Sequence, residues 1–457
     1  MIVMKFGGTS VESAAAIERV AGIVAQRLDR KPLVVVSAMG KTTNKLLAIA
    51  GLAAAGKMAD AGAQIDDLRQ FHETEGSLAI RGEDRSAFDD LIEEHFHGIL
   101  DCVQHISHEH TVSPALWDEV TSFGERLSSA IVALAFRRHG MKSHHLDARR
   151  VIITDSRHTQ ALPLYHRAYA RLGKTVPPLL EDGVVVMGGF IGSTPEGVTT
   201  TLGRGGSDFS ASIAGAGIGA EEIQIWTDVD GMLSADPRIH PGGYLIRVIS
   251  FAEAAELAYF GAKVLHPATV LPAMEKDIPV RVLNSRRPES LGTEIVSRPV
   301  PSRNPVKSIA CKRGITIVNI VSLRMLMAHG FLRRIFEVFD RYKTPVDMVA
   351  TSEVSVSLTI DNTSHLSEIE EELTRIADVS IVQNQAIVCL VGEALRETPG
   401  VAARIFHALR DINIRMISHG ASSLNVSFVM DDGEVEHAVK ALHGEFFAER
   451  DPAVFLA

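Results

Sequence analysis

Five short segments combine glycine with charged residues, four of them with a hydroxyl as well, as the binding of charged ligands requires. Lys5-Phe6-Gly7-Gly8-Thr9-Ser10 follows an apolar run and precedes a helical pattern. Its glycines let the backbone approach a ligand closely, a helix N-terminus presents free N–H donors, and Lys5 adds a full charge. Thr9 and Ser10 are placed to cap the helix. The segment is not a Walker A loop, because the lysine precedes the glycines. The plain alternative is a tight strand-to-helix turn with a solvated lysine.

Gly203-Arg204-Gly205-Gly206-Ser207-Asp208 leads into a helical pattern at Phe209–Gly215. Arg204 can grip a carboxylate through two parallel hydrogen bonds, and Asp208 can orient an ammonium or act on a lysine. The alternative is a glycine loop in which Asp208 is only an N-cap. Ser122-Phe123-Gly124-Glu125-Arg126 puts Glu125 at an expected helix start, where an acidic residue also serves the dipole. Trp226-Thr227-Asp228-Val229-Asp230-Gly231 ends a strand pattern and runs on to Asp236-Pro237-Arg238. Loops beyond the carboxyl ends of parallel strands are where open α/β sheets bind ligands. Phe260-Gly261-Ala262-Lys263-Val264-Leu265-His266-Pro267 closes a helix that opens on a Ser250/Glu253 capping box. Lys263 either complements the helix dipole or reaches a phosphate. Two tempting features are set aside. Gly215–Gly219 ends a helix where a dinucleotide fingerprint opens one. His105, His108 and His110 lie on a polar helical face without supporting carboxylates.

These segments need a scaffold, and the hydrophobic pattern supplies one. Ile2–Phe6, Leu33–Ser37, Val184–Met187, Glu222–Thr227 and Pro279–Leu283 are short apolar runs with little alternation. Such runs predict strands covered on both faces, hence a mainly parallel open sheet between helical layers. Glu12–Leu28 and Glu125–Arg138 read as helices, and Lys45–His110 as a helical insertion. Ser285–Ser308 carries four prolines and reads as a link, with Thr293–Val296 able to add a last strand. Beyond it, strand, helix, two strands, helix and strand run nearly twice. The expected division is a catalytic domain at 1–290 and two small α+β modules at 306–385 and 386–457. Ala453–Leu456 is placed to return to the first module.

Charge and cysteine content narrow the class. Against 46 Lys and Arg stand 56 Asp and Glu, a formal net charge of −10. That balance argues against nucleic acid and anionic membranes as partners. Cys102, Cys311 and Cys389 form no CxxC pair, which fits a reducing compartment and a cytoplasmic protein. The N-terminal run lacks the character of a signal peptide, and no run approaches the ~20 apolar residues of a membrane helix.

Taken in order, KFGGTSV (Lys5–Val11), SFGER (Ser122–Arg126), TLGRGGSD (Thr201–Asp208), WTDVDG (Trp226–Gly231), DPR (Asp236–Arg238) and FGAKVLHP (Phe260–Pro267) resemble the aspartate kinases of the amino-acid kinase family. The stretch from Gly330 to Asp361 resembles the first of the paired ACT modules, of βαββαβ form, that bind amino-acid effectors. The resemblance covers nearly the whole chain and is to the form without an appended dehydrogenase. It implies transfer of the ATP γ-phosphoryl group to the side-chain carboxylate of L-aspartate, the entry to lysine, threonine and methionine synthesis.

The roles that follow are those the resemblance implies. Lys5 serves the transferring phosphoryl group, with Gly7 and Gly8 as backbone donors, and Asp208 and Arg204 complete the catalytic set. Arg204 clamps the aspartate α-carboxylate and Glu125 meets its ammonium, with Ser37, Thr43, Phe190, Ser207 and Asp208 around the substrate. Thr227, Asp228, Leu233, Arg238 and Lys263 fall on the nucleotide side, Leu233 standing where many relatives carry tyrosine. Mg2+ travels mainly on the nucleotide phosphates, with no protein metal site expected. Met325, Phe331, Leu332, Val346, Asp347 and Ser352 match effector positions, with L-lysine as the expected inhibitor; Ala328 stands where some lysine-inhibited relatives carry serine. A homodimer or larger oligomer through the ACT modules completes the expectation. Two readings compete: a kinase for glutamate or N-acetylglutamate, and a catalytically silent amino-acid sensor.

Overall fold

The computed structural model describes residues 1–261, 267–298, 302–325 and 329–456. Packing divides the chain into two compact units, Met1–Met232 with Val264–Arg298, and Leu233–Lys263 with Pro299–Ala457. The division differs from the contiguous boundary at 290 that the sequence suggests. Residues 233–263 join the C-terminal unit through long-range contacts that no local pattern announces. Ile309 N–H donates to the Ser234 carbonyl, and Arg247 N–H to that of Val454. Glu253 and Lys307 form an ion pair, 2.9 Å apart, with both side chains fully buried. Removing one partner of such a pair typically costs about 3–5 kcal/mol, because the other charge is left in the core.

The first unit is an open sheet built from β1 (Ile2–Phe6), β2 (Pro32–Val36), β3 (Ser143–Leu146), β4 (Val184–Gly188), β7 (Glu222–Thr227), β9 (Val280–Asn284) and β10 (Thr293–Val296). Within the unit their order is β3-β4-β2-β1-β7-β9-β10. All neighbours are parallel except β10, which runs antiparallel to β9. β1, β2 and β4 are buried at every position, the covering on both faces that unalternating apolar runs require. Each fully buried Val, Leu or Ile contributes about 1.5–3 kcal/mol of hydrophobic stabilisation. Helices at Thr42–Ala54, Met58–Ala79 and Arg85–Glu109 form the expected insertion. A hairpin of β5 (Ile191–Ser193) and β6 (Thr199–Thr201) links Phe190 to the Gly203–Asp208 loop.

The second unit opens with β8 (Val248–Ser250) and the helix Phe251–Tyr259, whose capping box at Ser250 and Glu253 forms as expected. Its sheet comprises β11 (Val306–Val321), β12 (Val349–Thr351), β13 (Ser355–Ile360), β14 (Asp378–Gly392), β15 (Met416–His419) and β16 (Asn425–Asp431). The six strands run β12-β13-β11-β14-β16-β15, each antiparallel to its neighbours. Two modules share this sheet. Residues 316–321 of β11 pair with β13, whereas residues 385–391 of β14 pair with β16. β11 and β14 pair along most of their length, with irregular register near Lys312–Ile317 where the modules meet. The modules are therefore interleaved by the first half of β11, not by the chain end. Phe455 instead bridges to Ile246, which corrects the expectation for Ala453–Leu456.

Candidate active site

The carboxyl ends of β1, β2 and β4 and the loop after β6 enclose a cavity of about 350 Å³. Its lining includes Lys5, Gly8, Ser37, Thr43, Glu125, Phe190, Ser207 and Asp208. Lys5 is the penultimate residue of β1, held between Val35 of β2 and Ile225 of β7. Its ammonium lies 2.6 Å from Asp208 Oδ1, and both side chains are largely buried. This pairing separates two readings of Asp208. The helix Gly206–Ile218 is entered at Gly205, and Asp208 sits in its first turn without capping it. Gly8 allows the close approach of two strand ends, since a Cβ there would lie 3.0 Å from the carbonyl oxygens of both Ala38 and Gly40. Thr9 and Ser10 do not cap the next helix. They belong to a short 3-10 turn, and Ser13 caps Ala14–Ala25 by accepting from the Ala16 N–H.

Glu125 is not at a helix start. It lies well inside Pro114–Arg138, so the dipole explanation does not apply. Only 4% exposed, it accepts one hydrogen bond from the Ala38 N–H at 3.2 Å, and its Oε2 has no partner among the described residues. Burial pushes its carboxyl up to about 8. A carboxylate so placed calls for a cation. Phe190 adopts a left-handed backbone, φ 65°, and its N–H donates to Ser210 Oγ, which ties the end of β4 to the helix Gly206–Ile218. Arg204 is exposed at the loop tip, with no ion pair among the described residues.

The residues expected on the nucleotide side fall in both units. Gly7 N–H donates to the Trp226 carbonyl at 3.2 Å, next to Thr227 and the exposed Asp228 at the end of β7. Leu233 and Arg238 belong to the second unit, where Arg238 is 83% exposed and paired with Asp236 at 2.6 Å. Lys263 lies outside the described residues, as does Ala328. Of the effector positions, Phe331 is spent on the core of the first module, and Met325 and Val346 pack against that core. Leu332 and Ser352 are exposed. Asp347 does not cap a turn. Its side chain is 3% exposed, and Oδ1 meets Lys312 Nζ at 2.6 Å and the Tyr259 hydroxyl at 3.0 Å. Sequence reasoning passed over Ala38 and Gly40, which lie in the turn after β2, where Gly40 has φ 54°. It also passed over Asp118, whose signal exists only in three dimensions.

No group of three or more His, Cys, Asp or Glu among the described residues is arranged to hold a metal ion. No helix among them is long and apolar enough to cross a membrane. The comparisons with known proteins agree with the geometry. Residues 1–284 match the amino acid kinase family and residues 388–446 an ACT domain. The lysine-sensitive aspartokinase 3 of Escherichia coli is 36% identical, the alignment covering 98% of this chain and 99% of that one. The chloroplastic aspartokinase 2 of Arabidopsis thaliana is 38% identical over 98% of this chain and 85% of its own. The crystal structure of Escherichia coli aspartokinase III with aspartate and ADP superimposes with a TM-score of 0.80 at 36% identity, covering 98% of this chain and all of that one. The same enzyme with lysine and aspartate gives 0.83, covering 98% of this chain and 99% of that one. With the family model matching residues 1–284 and these aspartokinases 36% and 38% identical over nearly the whole chain, the chain belongs to the amino acid kinase family, among its aspartokinases.

Proposed function

We propose that the cavity beside Lys5 transfers the γ-phosphoryl group of ATP to the side-chain carboxylate of L-aspartate, giving 4-phospho-L-aspartate and ADP. The observation that carries this reading is the buried, unpartnered Glu125 oxygen in the cavity that Lys5 also lines. Glu125 receives the substrate ammonium, Arg204 the α-carboxylate, and Ser37, Thr43, Phe190 and Ser207 shape the space between. The side-chain carboxylate is already ionised, so no general base is needed. One of its oxygens attacks the γ-phosphorus as the bond to the β-phosphate oxygen breaks. Transfer of this kind depends on position and charge. Lys5, oriented by Asp208, meets the charge that develops on the transferring group, and Gly7 and Gly8 add backbone N–H donors. Thr227, Asp228, Leu233, Arg238 and Lys263 serve the nucleotide. Asp208 offers the hard oxygen donor that Mg2+ prefers, and a magnesium ion carried on the phosphates would neutralise part of their charge.

Glu125 also bears on substrate choice, since an acylated amine brings no positive charge to it. A coupled ADP-release assay with L-aspartate, L-glutamate and N-acetylglutamate tests the reading. Turnover with aspartate alone is expected, and equal turnover with N-acetylglutamate overturns the role of Glu125.

The same reading makes L-lysine the feedback inhibitor, bound in the ACT region around Met325, Phe331, Leu332, Val346, Asp347 and Ser352. A lysine-sensitive relative at 36% identity supports it. Pairing of ACT modules between subunits gives at least a homodimer. Val349 of β12 and Ile417 of β15, the outer strands of the sheet, are 42% and 45% exposed, apolar surface that a partner subunit would cover. Light scattering of a dimer or larger species at micromolar concentration is expected; a monomer with and without lysine refutes the pairing. The absence of paired cysteines supports a reducing compartment, and we place the reaction in the cytoplasm.

A further inference from the structure

Asp118 is a carboxylate with 0% exposure, and the chemistry above does not use it. It stands seven positions before Glu125 in Pro114–Arg138, about two helical turns, so both residues lie on one face of that helix. An ionised group so deeply buried is costly unless its oxygens are satisfied, and here every partner comes from outside the helix. The Thr159 N–H donates to both oxygens at 3.0 Å, and His158 Nδ1 lies 2.8 Å from Oδ2. The Thr201 hydroxyl donates to Oδ1.

These partners lie beside the loop that carries Arg204. Thr201 is the last residue of β6, three positions before Arg204, and its carbonyl accepts from the Ala161 N–H at 2.9 Å. Thr159 has φ 71°, a left-handed conformation unusual for a β-branched residue. It is sustained only where the surroundings over-determine it. Gly203 fits against it with φ 76°; a Cβ on Gly203 would lie 3.2 Å from the Thr159 carbonyl oxygen. The Gly206 N–H then donates to the Gly203 carbonyl at 3.0 Å, closing the turn that holds Arg204. Asp118 thus fixes Thr159 and Thr201, on which the Gly203–Gly206 turn rests. We infer that Asp118 is a positioning residue for Arg204: it sets where the guanidinium stands relative to Glu125 on the same helix, and so the match to an α-amino acid's paired charges. The inference rests on Arg204 being the α-carboxylate clamp.

The role predicts a selective defect. Asp118→Asn and Thr201→Val are each expected to raise the KM for aspartate, about tenfold for the former and severalfold for the latter. The KM for ATP and kcat at saturating aspartate should change less than about threefold. Thr201→Ser, which restores the hydroxyl, is expected to return the aspartate KM to normal. Arg204→Ala alone and combined with Asp118→Asn completes the set. If Asp118 acts through Arg204, the double variant has the aspartate KM of Arg204→Ala. Failure of Arg204→Ala to raise that KM removes the clamp and the inference with it. A raised KM in Arg204→Ala with a normal KM in Asp118→Asn, or full additivity in the double variant, refutes the inference alone. A uniform loss in kcat and both KM values with a lowered Tm also refutes it, since that is what mere structural support would give.

Discussion

Glu125 in the first unit and Asp347 in the second are both carboxylates removed from solvent, and their surroundings treat them in opposite ways. Glu125 has a backbone N–H on one oxygen and nothing on the other, and burial drives its pKa up to about 8. Asp347 has an ammonium and a phenol on Oδ1. Lys312 feels burial too, but its hydrogen bonds to Asp347 and Asp361 outweigh it and hold its pKa above the ordinary lysine value. Burial pushes the Tyr259 phenol up to about 12, with Asp347 adding to the effect, so it donates throughout the physiological range. Similar burial therefore yields one site prepared for an incoming cation and one whose charge is already answered from within the chain. A substrate ammonium gains the full benefit of an unpartnered acceptor, whereas an effector ammonium at Asp347 must use the free Oδ2 or compete with Lys312. In the proposed roles, catalytic recognition and regulation would draw on different electrostatic reserves.

The sharpest way to break this contrast is to remove charge from each unit and read turnover. Lys5→Ala is expected to lower kcat by roughly two to three decades, the loss of about 3–4 kcal/mol of preorganised charge, with a smaller effect on nucleotide affinity. Asp347→Ala should leave uninhibited turnover within about twofold. Near-normal steady-state turnover in Lys5→Ala would remove the lysine from the chemistry. The second prediction concerns inhibition. Asp347→Ala is expected to raise the half-inhibitory lysine concentration by roughly 5- to 150-fold, the range of ordinary coupling energies of about 1–3 kcal/mol. Inhibition assays that show threonine acting and lysine inert at millimolar concentration overturn the effector assignment.

The third prediction uses pH. With its pKa near 8, Glu125 is mostly protonated in the empty cavity at pH 7, and binding an ammonium favours the ionised form. Aspartate binding therefore releases a proton at pH 7, and affinity improves as pH rises toward 8, by up to about tenfold per unit. Calorimetry in buffers of different ionisation enthalpy reads the proton directly, and Glu125→Gln should abolish its release. A pH-independent aspartate affinity between 6.5 and 8 contradicts it. The smallest effect is on stability. The folded pKa of Glu125 lies above its ordinary value of 4.5, so its favourable contribution is complete below 4.5 and is lost as pH rises through 8. Without substrate, Glu125→Gln should raise the Tm at pH 8 by about 2–4 °C and have little effect at pH 4.5.

Much of the first unit was legible because its signals are local. An unalternating valine run has few ways to be buried, so β1, β2, β4, β7 and β9 fall within a residue or so of the predicted spans. The Ser250 capping box and the solvated faces of His105, His108 and His110 follow from spacing alone. The second unit was legible in its βαββαβ rhythm but not in its strand sharing. β11 extends from Val306 into a segment that three of the four prolines of the link precede closely, and nothing local reveals that its two halves serve different modules.

By itself, the sequence determined where the glycine-rich turns fall, which charges flank them, and in what order those segments come. The tertiary structure alone decided which charges meet. Lys5 pairs with Asp208 across most of the first unit's length, Glu125 is left unpartnered in the middle of a helix, and Asp347 is answered by Lys312 and Tyr259. The physical reason is range. Helix and strand patterns are set by neighbours one to four residues away, whereas the electrostatic state of a buried group depends on whatever the folded chain brings within about 4 Å of it.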